Sequence, residues 1–301
     1  MVWFYAQMFG WLLLGVVLGV TWRLARGRRY ALAGGVVAAC TGLAVVPVIL
    51  VEVLPDLLLM APINQSPTAV VWYLDNRYLL TILAGILGVA LLALPVRRRS
   101  SGGSADLAPR SLGTFTDSRR FIAPIIFIAI ILIITLTTGA LSEADPQTGR
   151  YDQIMVDGGV MAIGTTIYGW FYSVPALIAL FGLIAVAAIV LSLIARPAFM
   201  EDRETDVRIR WIRSRNVVTA VTATLVLHLG MLFTSLSATA SVTGTFATPD
   251  GQVSMWSPIA AFGPVFTIAA YFSGIAGVAL WTTVALTAIP ARRPALVAVP
   301  T

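Results

Sequence analysis

Seven stretches of about twenty mostly apolar residues recur along this chain, near 3–22, 30–51, 78–96, 121–141, 172–195, 216–238 and 265–290. A helix of roughly that length crosses the hydrocarbon core of a bilayer. Composition agrees: 58% of the 301 residues are hydrophobic and 11% charged, whereas a soluble domain carries roughly 25% charged residues. The expectation is an all-α polytopic membrane protein with seven transmembrane helices. The first run has no basic region before it, so it reads as a span rather than a cleavable signal peptide.

Arginine placement orients the spans. With connections alternating between sides, eighteen of the twenty basic residues, all arginines, fall in 23–29, 97–120, 196–215 and 292–293, and only Arg77 and Arg150 lie opposite. The positive-inside rule makes the arginine-rich side cytoplasmic, which puts the N-terminus outside and the C-terminus inside. Eight of the fourteen acidic residues fall outside, leaving formal charges of −6 there and +12 inside. Such basicity is a topological, lipid-facing signal and not a nucleic-acid footprint.

Most cofactor chemistry is excluded by residue type. No lysine occurs, which removes retinal or pyridoxal Schiff bases and a P-loop built on its lysine. One histidine, His228, and one cysteine, Cys40, cannot build a bis-histidine haem site, an H-E-x-x-H zinc site, an iron–sulfur site or a disulfide. No cofactor, metal or catalytic group is expected.

The polar loops are short. Residues 100–118 read as a flexible cytoplasmic linker, and 197–212 as a short amphipathic helix at the inner interface. Neither holds an ATPase or kinase, so an energy-coupling partner would be a second chain docked on the arginine-rich inner face.

Beyond the first helix the chain reads as three parallel helical hairpins. Rising helices begin at Arg28-Arg29, Arg119-Arg120 and Arg213-Ser214-Arg215, and falling ones end near Pro95, Pro197 and Pro290. Heptapeptides 85–91 and 274–280 align, 182–188 more loosely, and the copies lie 91–97 residues apart. Transporter folds often carry such duplications, although alanine- and valine-rich helices also match by composition. The organisation is a first helix with its basic loop (1–29), repeat 1 (30–99), the linker (100–118), repeat 2 (119–199), an inner amphipathic segment with repeat 3 (200–294) and a cytoplasmic tail (295–301). The small-residue pairs Gly85/Gly88 and Gly274/Gly277 permit close helix packing.

The candidate site lies on the outer half. Stretches 158–195 and 254–290 exceed one crossing and open on aromatic segments containing Tyr168, Trp170 and Tyr172 or Trp256; Trp72 and Tyr78 hold the matching place in the first copy. These form either an interfacial belt or the rim of an outward vestibule. Turn residues at 145–149 and 248–251 suit β-hairpins capping that face. His228 shares a helix face with Thr224, Ser235 and Thr239, a stripe that either lines a solute path or bonds neighbouring helices. Hydroxyls also gather at Thr135, Thr137, Thr138 and Ser142 and at Thr234, Ser237 and Ser241. Trp72, Asp75, Arg77, Tyr168, Trp170, His228, Ser235 and Trp256 are the candidate ligand-binding residues, with Asp75 and Arg77 as a charge pair. They suit an amphipathic or apolar ligand and not a hydrated ion.

The functional expectation is an integral membrane subunit of a transport or export system, in the inner (plasma) membrane of a bacterium with lysine-poor, alanine-rich proteins. The alternative is a non-transporting scaffold or sensor for an envelope complex. An intramembrane hydrolase using Ser273 and His228 comes third. In such a cell the acceptor sequon at Asn64 is idle.

Overall fold

The computed structural model describes residues 2–25, 32, 35–60, 67–94, 117–157, 162–195, 203–248 and 251–289. The sequon at Asn64, Arg28 and Arg29, residues 100–116 of the linker, Pro95, Pro197, Pro290 and the tail 295–301 lie outside them. Eight α-helices appear among the described residues: α1 (Val2–Ala25), α2 (Gly35–Leu43), α3 (Val46–Met60), α4 (Pro67–Leu91), α5 (Ile122–Ala140), α6 (Trp170–Ala195), α7 (Arg203–Ala240) and α8 (Gly263–Leu286). Five strands accompany them: β1 (Glu143–Ala144), β2 (Tyr151–Asp157), β3 (Ala162–Thr166), β4 (Thr243–Thr248) and β5 (Gly251–Trp256). The protein is a helical membrane protein with six helices long and apolar enough to cross a bilayer. Among these, α2 and α3 act as one, and the apolar part of α1, Phe9–Ala25, is shorter. The α2–α3 joint follows from Pro47, which cannot donate to the Leu43 carbonyl and crowds it, so the chain turns at Ala44–Val45.

Both expected hairpins form, as antiparallel sheets β1-β2-β3 between α5 and α6 and β4-β5 between α7 and α8. Gly149 closes the first turn at φ 70° and Gly251 follows the second at φ 131°, conformations glycine adopts without steric cost. Strands β3 and β5 therefore consume the starts of the long apolar stretches: Trp256 falls in β5, while Tyr168 lies in the link after β3 and Trp170 and Tyr172 in the first turn of α6. Both sheets sit at one end of the bundle, called here the hairpin end; the opposite one is the arginine end.

Two expectations about boundaries are corrected. Residues 203–212 are not a separate interfacial helix but the start of α7, and Arg213–Asn216 lie inside it rather than at its beginning. At 1.5 Å per residue α7 is about 57 Å long against a hydrocarbon core of about 30 Å. Likewise α4 begins at Pro67, where a proline costs no helical bond, so Trp72 to Tyr78 is helix and not an approach to one.

The central post is α7: 72% of its spanning window is buried, against 11–39% for the others. Large apolar side chains point away from the bundle instead, among them Ile125 and Ile133 on α5, Phe181 on α6 and Phe272 on α8. In water that would be a liability; in lipid it is the expected surface. Lipid supplies no hydrophobic drive between helices, so small residues and close contact must hold them. A Cβ on Gly85 would strike Thr224 of α7, one on Gly277 would lie 2.6 Å from Leu227 Cγ of α7, and one on Gly88 would lie 2.7 Å from the Trp281 ring of α8. Gly15 and Gly19 on α1 do the same, within 2.8 Å of the Ile275 carbonyl and 2.9 Å of the Ala279 carbonyl on α8. That Gly-x-x-x-Gly dock is legible in the sequence but was not among the pairs singled out above. The aligned glycines do not meet aligned partners: Gly85 faces α7, whereas Gly274 faces Trp11 of α1.

The arginine end of α7 closes the ends of its neighbours. A helix leaves its last four carbonyls without partners. Arg213 Nη2 donates to the carbonyls of Leu92 (3.1 Å) and Ala93 (2.8 Å) just beyond α4. Arg210 Nη1 donates to the Ile194 carbonyl of α6 at 2.8 Å, while its Nε holds Asp206 at 2.7 Å. Asn216 Nδ2 donates to Thr287 Oγ1 beyond α8 at 2.7 Å. Positions 210, 213 and 216 step around α7 by three, so each reaches a different helix.

Candidate functional site

Three tyrosines converge at the hairpin end. Tyr78 lies on α4, Tyr172 in the first turn of α6, and Tyr168 in the link between β3 and α6. Their buried rings meet edge to face, Tyr78 lying 4.8 Å from Tyr168 and 5.2 Å from Tyr172. Strand β2 aims Tyr168: the Ile167 amide donates to the Asp152 carbonyl at 2.8 Å, and Gly169 lies so close to the Tyr151 carbonyl that a Cβ would clash.

Behind Tyr168 stands His228 on α7, its ring 6.2 Å away. Thr224, His228, Ser235 and Thr239 are all buried, so the polar stripe faces the interior. Two of its members have partners: Thr224 donates to the Ala220 carbonyl at 3.0 Å, and Thr239 to the Thr166 carbonyl of β3 at 3.0 Å. His228 lies beside the main chain of Tyr78, yet neither ring nitrogen makes a well-formed hydrogen bond. The Tyr168 hydroxyl and the Thr135 hydroxyl of α5 face each other as a hydrogen-bonding pair with no further partner among the described residues, and Ser173 Oγ on α6 has none there either. Burial raises the Tyr168 phenol above its ordinary value, with Thr135 opposing the shift, so it stays a neutral donor. One turn below Tyr78, Thr81 ties α4 to α3 and α7 through Glu52 Oε1 at 3.2 Å and Met231 Sδ at 2.8 Å.

Charges rim this cluster. Asp75 does not pair with Arg77; residues two apart on a helix point to different faces. Its partner is Arg150, between β1 and β2, with Nη1 at 3.0 and 3.2 Å from the two carboxylate oxygens and the guanidinium 4.4 Å above the Phe171 ring. Arg77 donates instead to the Tyr78 hydroxyl at 2.9 Å and lies 4.7 Å over that ring and 6.0 Å from Tyr172. Desolvation, and then the charge of Asp145, raises the Asp152 carboxyl above the usual aspartate value, and its Oδ1 is buried without a partner. Hydrogen bonds from Thr148 Oγ1 and the Gln147 amide lower Asp145.

Of the eight expected residues, Arg77, Tyr168 and His228 come together, with Asp75 on the rim. Ser235 is buried further along the stripe. Trp170 packs instead on Gly139 of α5, where a Cβ would lie 2.6 Å from its ring. Trp72 and Trp256 face outward at 58% and 63% exposure, as belt residues do. Most of the clustered hydroxyls back-bond to their own helix: Thr137 and Thr138 to Ile134, Ser142 to Gly139, Thr234 to Gly230. Tyr78, Thr135, Arg150, Asp152 and Tyr172 belong to the site but stood outside the expected set. The available signal was Arg150 itself, one of two arginines on the side the rule leaves bare.

Among the described residues no group of three or more His, Cys, Asp or Glu side chains is placed to hold a metal ion. No family model, no curated protein and no solved structure matches the chain.

Proposed function

We propose that the chain is the membrane subunit of a transport or export system, handling an amphipathic or lipid-like solute at its hairpin end with a separate energy-coupling chain. One observation carries this reading: His228 and the Tyr168–Thr135 hydroxyl pair are buried together, with few well-formed hydrogen bonds among the described residues. A buried polar group left short of hydrogen bonds costs about 1–3 kcal/mol. A solute with a small polar head and an apolar body would meet both needs, its head among the hydroxyls and imidazole and its body against the tyrosine rings. In this reading the chain crosses a bacterial plasma membrane seven times with the hairpin end outside. The coupling chain docks where α7 projects beyond the bilayer.

Mass spectrometry of organic extracts from purified protein tests the site. Native protein should carry a bound amphiphile that Tyr168→Phe and His228→Leu release at unchanged protein level; equal extracts from all three would defeat the reading. Orientation is tested in a Cys40→Ala background. A cysteine at 147 should label from outside and one at 105 should not; the reverse pattern inverts the topology.

The scaffold or sensor reading draws on the same α7 projection. Co-purification with an ATPase favours transport, and co-purification with an envelope enzyme favours the scaffold.

A further inference from the structure

We propose that the β1–β2 hairpin is a proton-operated strap: when Asp152 ionises it takes Arg150 from Asp75, frees the hairpin from α4 and lets the Tyr168 link lift off His228. Successive side chains of a strand point to opposite faces, and β2 turns Asp152 and Ile154 inward and Tyr151 outward. An inward position suits an apolar side chain such as Ile154; a carboxyl there breaks the pattern. Its Oδ1 is buried with no hydrogen-bond partner among the described residues. A neutral carboxyl tolerates that place far better than a carboxylate. The groups facing it are Asp145 and Arg150 of its own hairpin, Asp75 of α4 and the Tyr172 phenol of α6. Arg77 lies beyond them, against the Tyr78 and Tyr172 rings. Burial first, then the charges of Asp145 and Asp75, raises the proton affinity of Asp152, and Arg150 is the cation that opposes them.

Arg150 is held where the exchange can happen. Its Nη1 bonds both oxygens of Asp75, at 3.0 and 3.2 Å, and so ties the hairpin to α4. The two side chains are 39% and 23% exposed, and water weakens such a pair. Arg150 and Asp152 share one tight turn, closed by the Asp152 amide donating to the Arg150 carbonyl at 3.0 Å. A carboxylate at Asp152 therefore offers the guanidinium a second anion at close range. An Arg150–Asp152 pair lies wholly within the hairpin and ties it to nothing. The change reaches Tyr168 through the main chain, because the Asp152 carbonyl accepts from the Ile167 amide at 2.8 Å and Gly169 abuts the Tyr151 carbonyl. Protonated Asp152 leaves Arg150 to Asp75, so the seated strap is favoured at low pH and lost as pH rises through the folded-state value, the proton leaving to water. The switch concerns the hairpin alone and holds whatever the tyrosine cluster binds.

Hydrogen–deuterium exchange of the full chain in detergent, corrected for the intrinsic pH dependence of amide exchange, tests the strap. Protection of 151–157 and 162–168 should fall at least tenfold between about pH 4 and about pH 8, the range open to a raised aspartate, while α5 stays protected. Each tenfold step corresponds to a tenfold difference in the proton affinity of Asp152 between the seated and the lifted hairpin. Asp152→Asn should stay protected across the range. Asp75→Asn and Arg150→Gln, which lack the tie, should be weakly protected at both ends of it, with the melting temperature showing that each variant is folded. A native hairpin equally protected at both pH values overturns the proposal, as does an Asp152→Asn protein that keeps the native step. A step that persists in Arg150→Gln overturns it independently of the Asp152 variant. Loss of protection in α5 together with the hairpin also overturns it, because the whole bundle would then be opening.

Discussion

The two ends of the bundle use the buried polar side chains of α7 for different contacts. At the arginine end, Arg210, Arg213 and Asn216 of α7 reach the ends of α6, α4 and α8, bonding the Ile194 and Ala93 carbonyls and the Thr287 hydroxyl. At the hairpin end of the same helix, His228 faces Tyr168, with the Tyr168 hydroxyl turned to Thr135 and the imidazole beside the Tyr78 main chain. One α-helix thus ties down three neighbours at one end and sets an imidazole against a cluster of tyrosine rings at the other. Two arginines at the arginine end, Arg210 and Arg213, cap α6 and α4. The two arginines at the hairpin end, Arg77 and Arg150, are held by the Tyr78 ring and by Asp75 at the rim of the cluster.

The largest effect should come from the arginine end. Arg210→Ala strips Asp206 of its buried partner at 2.7 Å and uncaps α6. Removing one member of a buried pair costs roughly 3–5 kcal/mol, read as a lowered melting temperature in detergent. A loss below 1 kcal/mol would mean that the caps do not hold the bundle. Next, Gly277→Val should cost about 1–3 kcal/mol by overpacking against Leu227, whereas Gly35→Ala, where nothing lies nearby but φ is 75°, should act only locally. Comparable losses at both glycines would show that close packing on α7 is not what the Gly277 position protects.

A smaller effect depends on pH. Burial raises the Asp152 carboxyl above its ordinary value of 3.8. Just above pH 3.8 the folded chain therefore still binds a proton that the unfolded chain has released. Stability falls as pH rises through the folded-state value, and Asp152→Asn should flatten that fall in a melting-temperature profile. Asp145, lowered by its turn hydrogen bonds, works the other way and loses its contribution as pH drops. Smallest of all, Trp72→Ala and Trp256→Ala should change stability by no more than about 0.5 kcal/mol and leave bound amphiphile unchanged. Loss of the amphiphile in either would restore them to the site.

Spans, hairpins and glycine contacts were legible because each rests on local information: run length, turn residues and small-residue spacing. The continuity of α7 was not, since the charges at 203–215 look like a loop until their partners on α4, α6 and α8 are known. Asp75 was misassigned for want of the same tertiary knowledge, although the helical phase of positions 75 and 77 already argued against their pairing. Tyr168 and His228 were readable as candidates. Their meeting was not, because it depends on strand β2 bringing the Tyr168 link down onto α7.

The most direct measurement is the melting temperature and bound amphiphile of the Tyr168→Phe/His228→Leu double variant in one preparation. Removing unmatched buried polar atoms should leave the fold as stable as the native chain or more so, while the amphiphile is lost. A destabilised double variant that still carries the native amphiphile would show that these side chains hold the structure and are not kept for a ligand, and would contradict the account.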